Sequence, residues 1–386
     1  MKKILIFSMT YLPFVGGAEI ATKEITDRID SFDFDLITAR LDKKLEREER
    51  IGNVNVYRVG QGWALDKYLF PFLAYFKAKK LHKEKEYQIT QAIMAFYSGL
   101  AALFFKLKYP KVKYLLTMQS GDSDFFIWIR TWFWYPIYRM IYTKPDYIQA
   151  ISKFLVKRAK NHGYKGEIEV IPNGVNLEEF KVKDEITERM PTVIPTSILK
   201  KELNINQRER VILTVSRLVK KNGVDDLIKA GQYLDFPFKI LIIGIGPDEE
   251  KLKKLVKKLK LQDKIVFQGH IDYKELPSYY VSADVFVRSS LTEGLGNVFL
   301  EAMTAGLPVI GTNVGGIPDF LEDRKTGLFC EIRNPKDIAE KIEEILENDN
   351  LRKTLSKNGY DLVQEKYSWD KISQQMKKIY LKLINE

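Results

Sequence analysis

An α/β fold of two doubly wound domains is predicted by three observations: the chain's length, an alternation of short apolar runs with longer helical ones, and a restart of that alternation near the middle. The chain has 386 residues, more than one hydrophobic core usually serves, so two domains follow, each able to bury its own core. The apolar runs read KKILIFS, FDLITAR, YQITQAI, KYLLTMQ, DYIQAIS and IEVIPNG in the first half. After about residue 205 they restart as RVILTVS, FKILIIG, KIVFQG, ADVFVRS, LPVIGT and GLFCE. Strands alternating with helices imply parallel sheets covered on both faces. Between the two sets, Lys181–Glu202 (KVKDEITERMPTVIPTSILKKE) carries two prolines, many charges and no clear period, and reads as a linker. The expected domains are residues 1–180 and 205–369, with the linker at 181–204.

Helix signals support the second set. In GIGPDEEKLKKLVKKLKL, Pro247 is placed at a first helical turn, acids follow that suit the helix dipole, and lysines fill the later turns. Asn334–Asn348 (NPKDIAEKIEEILEN) reads the same way, with leucine and isoleucine at helical spacing. The first residues, MKKILIFSMTYLP, put a brief apolar run after two lysines, without a small-residue cleavage site. They are expected to be a first buried strand of a cytoplasmic chain.

With 45% hydrophobic and 29% charged residues the composition is that of a globular protein. A single cysteine, Cys330, excludes an internal disulfide and a thiolate metal cluster, and His82, His162 and His270 are too scattered for a structural zinc site. The net charge of +11 asks for an anionic partner. Nucleic acid, an acidic membrane surface and phosphorylated small molecules all qualify.

Three motifs can carry chemistry. In the first, the strand ADVFVRS ends near Ser289, the loop LTEGLG follows, and Asn297 is the expected N-cap of a helix VFLEAMTA closed by Gly306 and Pro308. Glu293 then lies in a loop at the carboxyl end of a parallel strand and Glu301 one turn into the helix, both toward the crevice where open α/β sheets bind ligands. Gly294 and Gly296 leave backbone N–H groups open at a helix N-terminus, which suits a phosphate. Ionised carboxylates suit sugar hydroxyls. A glycine-rich turn with one solvated and one helix-face glutamate accounts for the same residues, and both readings stand at this point. In the second motif, TVSRLVKKNGVDDLIKA, Arg217 ends a strand and can clamp a diphosphate bidentately, with Lys220 or Lys221 adding a point charge; a solvated basic turn is the plainer alternative. In the third, YLPFVGGAEIATKEI, Gly16 and Gly17 precede a helix that carries Glu19, again a helix N-terminus open to an anion, or else a tight turn.

Together GGAE, IPNGVN (Ile171–Asn176), SRLVKKNG, GIGPDE and above all EGLGNVFLEAMTAGLPVIGTNVGGIPDFL resemble the retaining glycosyltransferases of family 4, with the GT-B fold, from Lys3 to about Asp370 and including YSWDKI. The resemblance implies two Rossmann-like domains facing a central cleft, an acceptor-binding N-terminal domain with a final helix (about 370–386) packed back on it, and a donor-binding C-terminal domain. It implies a metal-independent transfer of a hexose from a UDP- or GDP-type nucleotide-sugar, a co-substrate in place of any cofactor, to a glycan or lipid-linked acceptor in cell-surface polysaccharide or glycolipid synthesis. Carried over, Glu301 holds the ribose hydroxyls, Glu293 the transferred sugar, and Arg217 the departing diphosphate. The amides of Gly294, Leu295, Gly296 and Asn297, with those around Gly16 and Gly17, complete the phosphate cradle. Retention is attributed to attack on the face from which the leaving group departs, the diphosphate taking the acceptor's proton. Two departures stand out. Where the family commonly has a lysine before the glycine of the basic turn, this chain has Asn222, so Lys221 is the expected second cation. Where many relatives have an acceptor-side histidine, it has Gln119, which can bond a sugar hydroxyl but cannot act as a base. Glu19 is a further acceptor-side residue. DSD (Asp122–Asp124) and DFD (Asp33–Asp35) mimic the metal triplet of the other glycosyltransferase fold and are read as chance.

Two aromatic stretches bear on the acceptor. Phe125–Tyr142 (FFIWIRTWFWYPIYRMIY) is interrupted by Arg130, Pro136 and Arg139, so it suits a bilayer interface better than a span. In KYLFPFLAYFKAKKLHKEKEY aromatics give way to lysines that anionic lipid would attract, unless the aromatics are core and the lysines a solvated face. A peripheral enzyme on the inner face of the membrane is the expectation. A nucleic-acid binder would interleave aromatics with basic residues, which this chain does not, and a sugar epimerase of the same fold is the nearer alternative.

Overall fold

The computed structural model describes residues 1–63, 65–180, 194 and 196–385. They form two compact units, Met1–Gly174 with Trp369–Glu386, and Val175–Ser368.

The first unit is built on an eight-stranded sheet: β1 (Lys2–Phe7), β2 (Phe32–Ala39), β3 (Glu48–Ile51), β4 (Val54–Val59), β5 (Ile89–Ile93), β6 (Lys113–Met118), β7 (Tyr147–Ala150) and β8 (Glu167–Val170), in the order β3-β4-β2-β1-β5-β6-β7-β8. β3 pairs antiparallel with β4, and the other neighbours are parallel. The central strands are continuous apolar runs because helices cover both faces. The hairpin β3–β4 escapes a search for such runs: β3 reads EERI and is largely exposed, and β4 alternates buried with half-buried residues, as edge strands do. The C-terminal helix Trp369–Asn385 closes this core with Trp369, Met376 and Tyr380. The Tyr380 hydroxyl donates to Gln91 Oε1 on β5 at 2.8 Å, and its ring packs on Phe32 and Phe34.

The second unit carries β9 (Arg210–Val215), β10 (Phe238–Ile243), β11 (Ile265–Gly269), β12 (Val285–Arg288), β13 (Val309–Thr312) and β14 (Leu328–Cys330), all parallel, in the order β11-β10-β9-β12-β13-β14. Ile212, Ile240, Val287 and Ile310 line the sheet side of its core and Ile338, Ile342 and Leu355 the helical side.

Three boundary expectations need correction. Val175–Phe180 belong to the second unit, not the first, because Phe180 is buried against Tyr273 and Tyr280. Thr196–Glu202, assigned to the linker, form a helix that buries Leu199 and packs on helix Leu276–Ser282; residues 181–193 and 195 of the linker lie outside the described residues. Pro247 precedes Asp248, the N-cap of helix Glu249–Lys258, and so stands outside its first turn.

In both sheets the strand order reverses beside the unit's first strand, between β1 and β5 and between β9 and β12. Loops leaving the carboxyl ends on the two sides of such a reversal diverge and open a crevice.

Candidate active site

The reversal in the second sheet gathers the predicted donor residues. Arg217 follows β9, Glu293 follows β12, and Glu301 lies in helix Asn297–Thr304. The residue that ties them together is Arg288, the last of β12. Its Nη1 donates to the Val215 carbonyl at 2.9 Å, closing the gap between the two diverging strands. Its Nε donates to Ser290 Oγ at 3.1 Å. Its Nη2 donates to Glu293 Oε2 at 2.7 Å and to Asn222 Oδ1 at 3.3 Å. Asn222 in turn donates from Nδ2 to the Arg217 carbonyl at 2.6 Å. A buried guanidinium with four acceptors is positioned far more firmly than a surface ion pair. It fixes where the Glu293 carboxylate points and anchors the backbone from which Arg217 projects. The Arg217 side chain is exposed, with no hydrogen bond or ion pair among the described residues, so its guanidinium is available to an anion. Lys220 is exposed and Lys221 half-buried on the same short 3-10 turn, Lys220–Asn222.

Glu301 is buried. Burial pushes its carboxyl up to about 7, against the Tyr280 hydrogen bond and the Arg288 charge, which both favour ionisation. Tyr280 donates its hydroxyl to Glu301 Oε2 at 2.8 Å. Tyr280 is itself buried, on helix Leu276–Ser282 between Phe180 and Phe286. An ionised carboxylate in so dry a site gains strongly from a ligand that brings hydroxyl donors to it.

Two loops brace the Glu293 segment. On one side the Leu291 amide donates to the Lys221 carbonyl at 2.7 Å and Ser289 Oγ to the Gly223 carbonyl at 2.7 Å. On the other, the Gly316 amide donates to the Glu293 carbonyl at 3.1 Å. Both contacts require glycine: a Cβ on Gly223 (φ +66°) would lie 1.8 Å from the Ser289 carbonyl oxygen, and one on Gly315 (φ +57°) 1.9 Å from that of Glu293. Asn297 is not the N-cap. Gly296 caps the helix in the left-handed region, at φ 98°, and Asn297 is its first residue. The space a side chain at Gly296 would take is filled by Phe299, 2.8 Å from an added Cβ. That glycine therefore serves the turn and its packing, and the bend turns the amides of the segment from Gly294 to Asn297 into the start of the helix.

In the first unit, helix Gly17–Asp27 starts from Gly16. The Glu19 carboxylate folds back over that glycine, 2.6 Å from where its Cβ would stand, and accepts a hydrogen bond from Thr10 Oγ1. The helix start at Gly16 and Gly17 is thus faced by the chain's own carboxylate and is less open to an anion than the sequence suggests. Gln119 follows β6 and accepts at Oε1 from Asn173 Nδ2 at 3.2 Å, bringing the IPNGVN motif beside it. In each metal-like triplet one aspartate is committed elsewhere: Asp35 to Lys85, Tyr87 and Asn55, and Asp124 to Arg158. Among the described residues no cluster of His, Cys, Asp or Glu could hold a metal ion.

Two residues that the motifs do not single out hold the expected carboxylates in place, Arg288 at Glu293 and Tyr280 at Glu301. Arg288 is visible as the one charge ending the otherwise apolar strand VFVR. Tyr280 left no signal, since a tyrosine in an apolar helix reads as core.

Two family models match, "Glycosyltransferase Family 4" over residues 15–179 and "Glycosyl transferases group 1" over residues 196–362. An uncharacterized glycosyltransferase of Methanocaldococcus jannaschii is 30% identical over 386 residues, 99% of each chain. A GDP-mannose-dependent alpha-(1-6)-phosphatidylinositol monomannoside mannosyltransferase of Mycobacterium tuberculosis is 30% identical over 248 residues, 61% of this chain and 62% of that one. Among solved structures, Anabaena HepE in complex with UDP and glucose superposes with a TM-score of 0.81 at 17% identity, covering 99% of this chain and all of that one. The fold is thus that of GT-B glycosyltransferases, and the chain belongs to the group 1, family 4 glycosyltransferases.

Proposed function

We propose that this glycosyltransferase moves a hexose, with retention of anomeric configuration and without a metal ion, from a UDP- or GDP-type nucleotide-sugar to a hydroxyl of a glycan or lipid-linked acceptor. The observation that carries the donor assignment is the buried Glu301 carboxyl, its pKa pushed up to about 7 by burial and its Oε2 hydrogen-bonded by Tyr280. A cis-diol such as that of ribose is the ligand such a group suits best, because it donates two hydrogen bonds to one carboxylate. Glu293, already holding Arg288 through Oε2, keeps Oε1 toward the Gly294 amide and the sugar. The amides of Leu295, Gly296 and Asn297 receive phosphate oxygens. Arg217 and Lys221 take the negative charge that grows on the diphosphate as the bond from the anomeric carbon breaks. Asn222 carries no charge, and the Arg288 guanidinium bonded to it returns a fixed positive charge to that corner of the site. The acceptor oxygen bonds to the anomeric carbon on the face the diphosphate leaves, and its proton passes to the departing phosphate oxygen. Glu19 and Gln119 orient the acceptor. The relatives that use GDP-mannose or bind UDP support the nucleotide-diphosphate class, and the mycobacterial one supports a lipid acceptor.

Thermal stabilisation against UDP, GDP and their sugars identifies the donor, since a ligand at about a hundred times its Kd adds roughly 2.7 kcal/mol to the folded state. Incubation with donor and acceptor, read by NMR of the product's anomeric centre, tests the reaction. Glu301→Ala and Arg217→Ala should each abolish transfer with the circular dichroism unchanged. An inverted product removes the retaining assignment, and near-normal turnover by both variants removes the site.

A further inference from the structure

One face of the first unit turns aromatic side chains outward. Along helix Asp66–Lys85, Tyr68, Leu69, Phe72 and Phe76 are exposed at helical spacing, while Phe70, Ala74, Ala78 and Leu81 are buried. Segment 124–143 is helix Asp124–Thr131, a 3-10 turn Trp132–Trp134 and helix Tyr135–Thr143. In it Phe125 and Phe133 are 70% exposed, Trp132 64% and Trp128 57%. The two regions are one surface, because rings touch from end to end: Tyr68 to Tyr97 at 6.1 Å, Tyr97 to Phe96 at 4.6 Å, Phe96 to Trp134 at 5.6 Å. At about 150–250 Å² per aromatic side chain, the exposed fraction comes to an apolar area on the order of 1,000 Å², more than a monomer's surface ordinarily leaves to water.

The same face is one-sided in charge. Across residues 66–85, 97–111 and 124–144 the acids are Asp66, buried with its carboxylate on the amides of Gln61, Gly62 and Trp63, Asp124, paired with Arg158, and Glu84. Each of these stretches carries at least three lysines or arginines. Lys77 and Lys106 are paired with Glu48 and Asp146. Lys79, Lys80, Lys83 and Lys108 have no acid partner among the described residues, and Arg130 lies over the rings of Phe96 and Phe126 at 4.6 and 5.3 Å. Among the described residues no helix is long and apolar enough to cross a membrane.

We propose that this face docks the protein on an anionic phospholipid bilayer. The outward rings of Phe72, Phe76, Trp128, Trp132 and Phe133 enter the boundary between head groups and acyl chains, and the unpaired lysines lie over the lipid phosphates. A bilayer fits better than a second copy, since isologous pairing would press two basic faces together. The inference does not use the donor-site reading, and its test needs no nucleotide.

The test is flotation of the full chain with vesicles of phosphatidylcholine alone and of an equal mixture with phosphatidylglycerol. Binding to the mixed vesicles at physiological salt, weakened at high salt, is expected. The double variants Phe72→Ser/Phe76→Ser and Trp132→Ser/Phe133→Ser should each lower partitioning about tenfold or more, while stabilisation by nucleotide stays unchanged. For the unaltered protein, brominated lipid should quench its tryptophan fluorescence, a readout that depends on no variant. Absence of flotation, absence of quenching, variants that bind as well as the parent, or a dimer by light scattering that these variants dissociate would each overturn the proposal.

Discussion

Removing one hydroxyl from the second unit should make donor binding depend on pH in a way that separates chemistry from packing. Tyr280→Phe keeps the ring between Phe180 and Phe286 and deletes only the donor to Glu301 Oε2. A hydrogen bond to a charged group is worth about 1.5–3 kcal/mol, so its loss should lower the ratio of ionised to protonated Glu301 roughly ten- to a hundredfold. The carboxyl is pushed up to about 7 and is therefore near half ionised at pH 7. In the variant the ionised fraction drops to about a tenth or a hundredth, and the nucleotide's Kd rises about five- to fiftyfold. At pH 9 both proteins are largely ionised and the loss shrinks to about twofold or less. Isothermal titration calorimetry with UDP and GDP at pH 6, 7 and 9 measures this. Buffers of different ionisation enthalpy should also show proton release on binding near pH 7. A Kd penalty equal at all three pH values would mean that Tyr280 acts by packing alone. Parental affinity that fails to rise between pH 6 and 8 would remove the carboxylate from ribose recognition.

Further outcomes follow from the same geometry. Because Glu301's folded pKa lies above its ordinary 4.5, the native state holds the proton more tightly than the unfolded chain, and this group's effect on stability is lost as pH rises from 4.5 through 7. Glu301→Gln should therefore be more stable than the parent by on the order of 3 kcal/mol at pH 8 and equal to it near pH 4, by urea denaturation, while losing nucleotide binding. Arg288→Ala strands the Glu293 carboxylate and three neutral acceptors; it should cost about 3–5 kcal/mol, and Arg288→Lys should recover only part of this because an ammonium cannot reach four acceptors. A denaturation midpoint for Arg288→Ala within error of the parent would show that the network contributes nothing. Gly223→Ala forces a Cβ against the Ser289 carbonyl and should cost more than about 2 kcal/mol and reduce turnover, read by melting and by the transfer assay.

Much of this protein is written locally. The continuous apolar runs that become β1, β9 and β10 are legible because a strand buried on both faces needs no alternation. Glu293 and Glu301 are legible because their spacing survives any packing. What escapes is decided by partners distant in the chain. The exposed edge strand β3 has no apolar run, and its pairing with β4 makes it a strand. Phe180 belongs to the second unit through rings at Tyr273 and Tyr280. The charge of Arg288 is visible at the end of VFVR, but its meaning lies in Val215 and Asn222, which only the reversal of strand order between β9 and β12 brings to one guanidinium beside its near neighbour Glu293. The sequence by itself determined the parallel sheets, the family and the spacing of Glu293 and Glu301, because periodicity and motif spacing are properties of the chain. The tertiary structure decided the ionisation of Glu301 and which aromatics face outward, because desolvation and exposure depend on what the rest of the chain brings near.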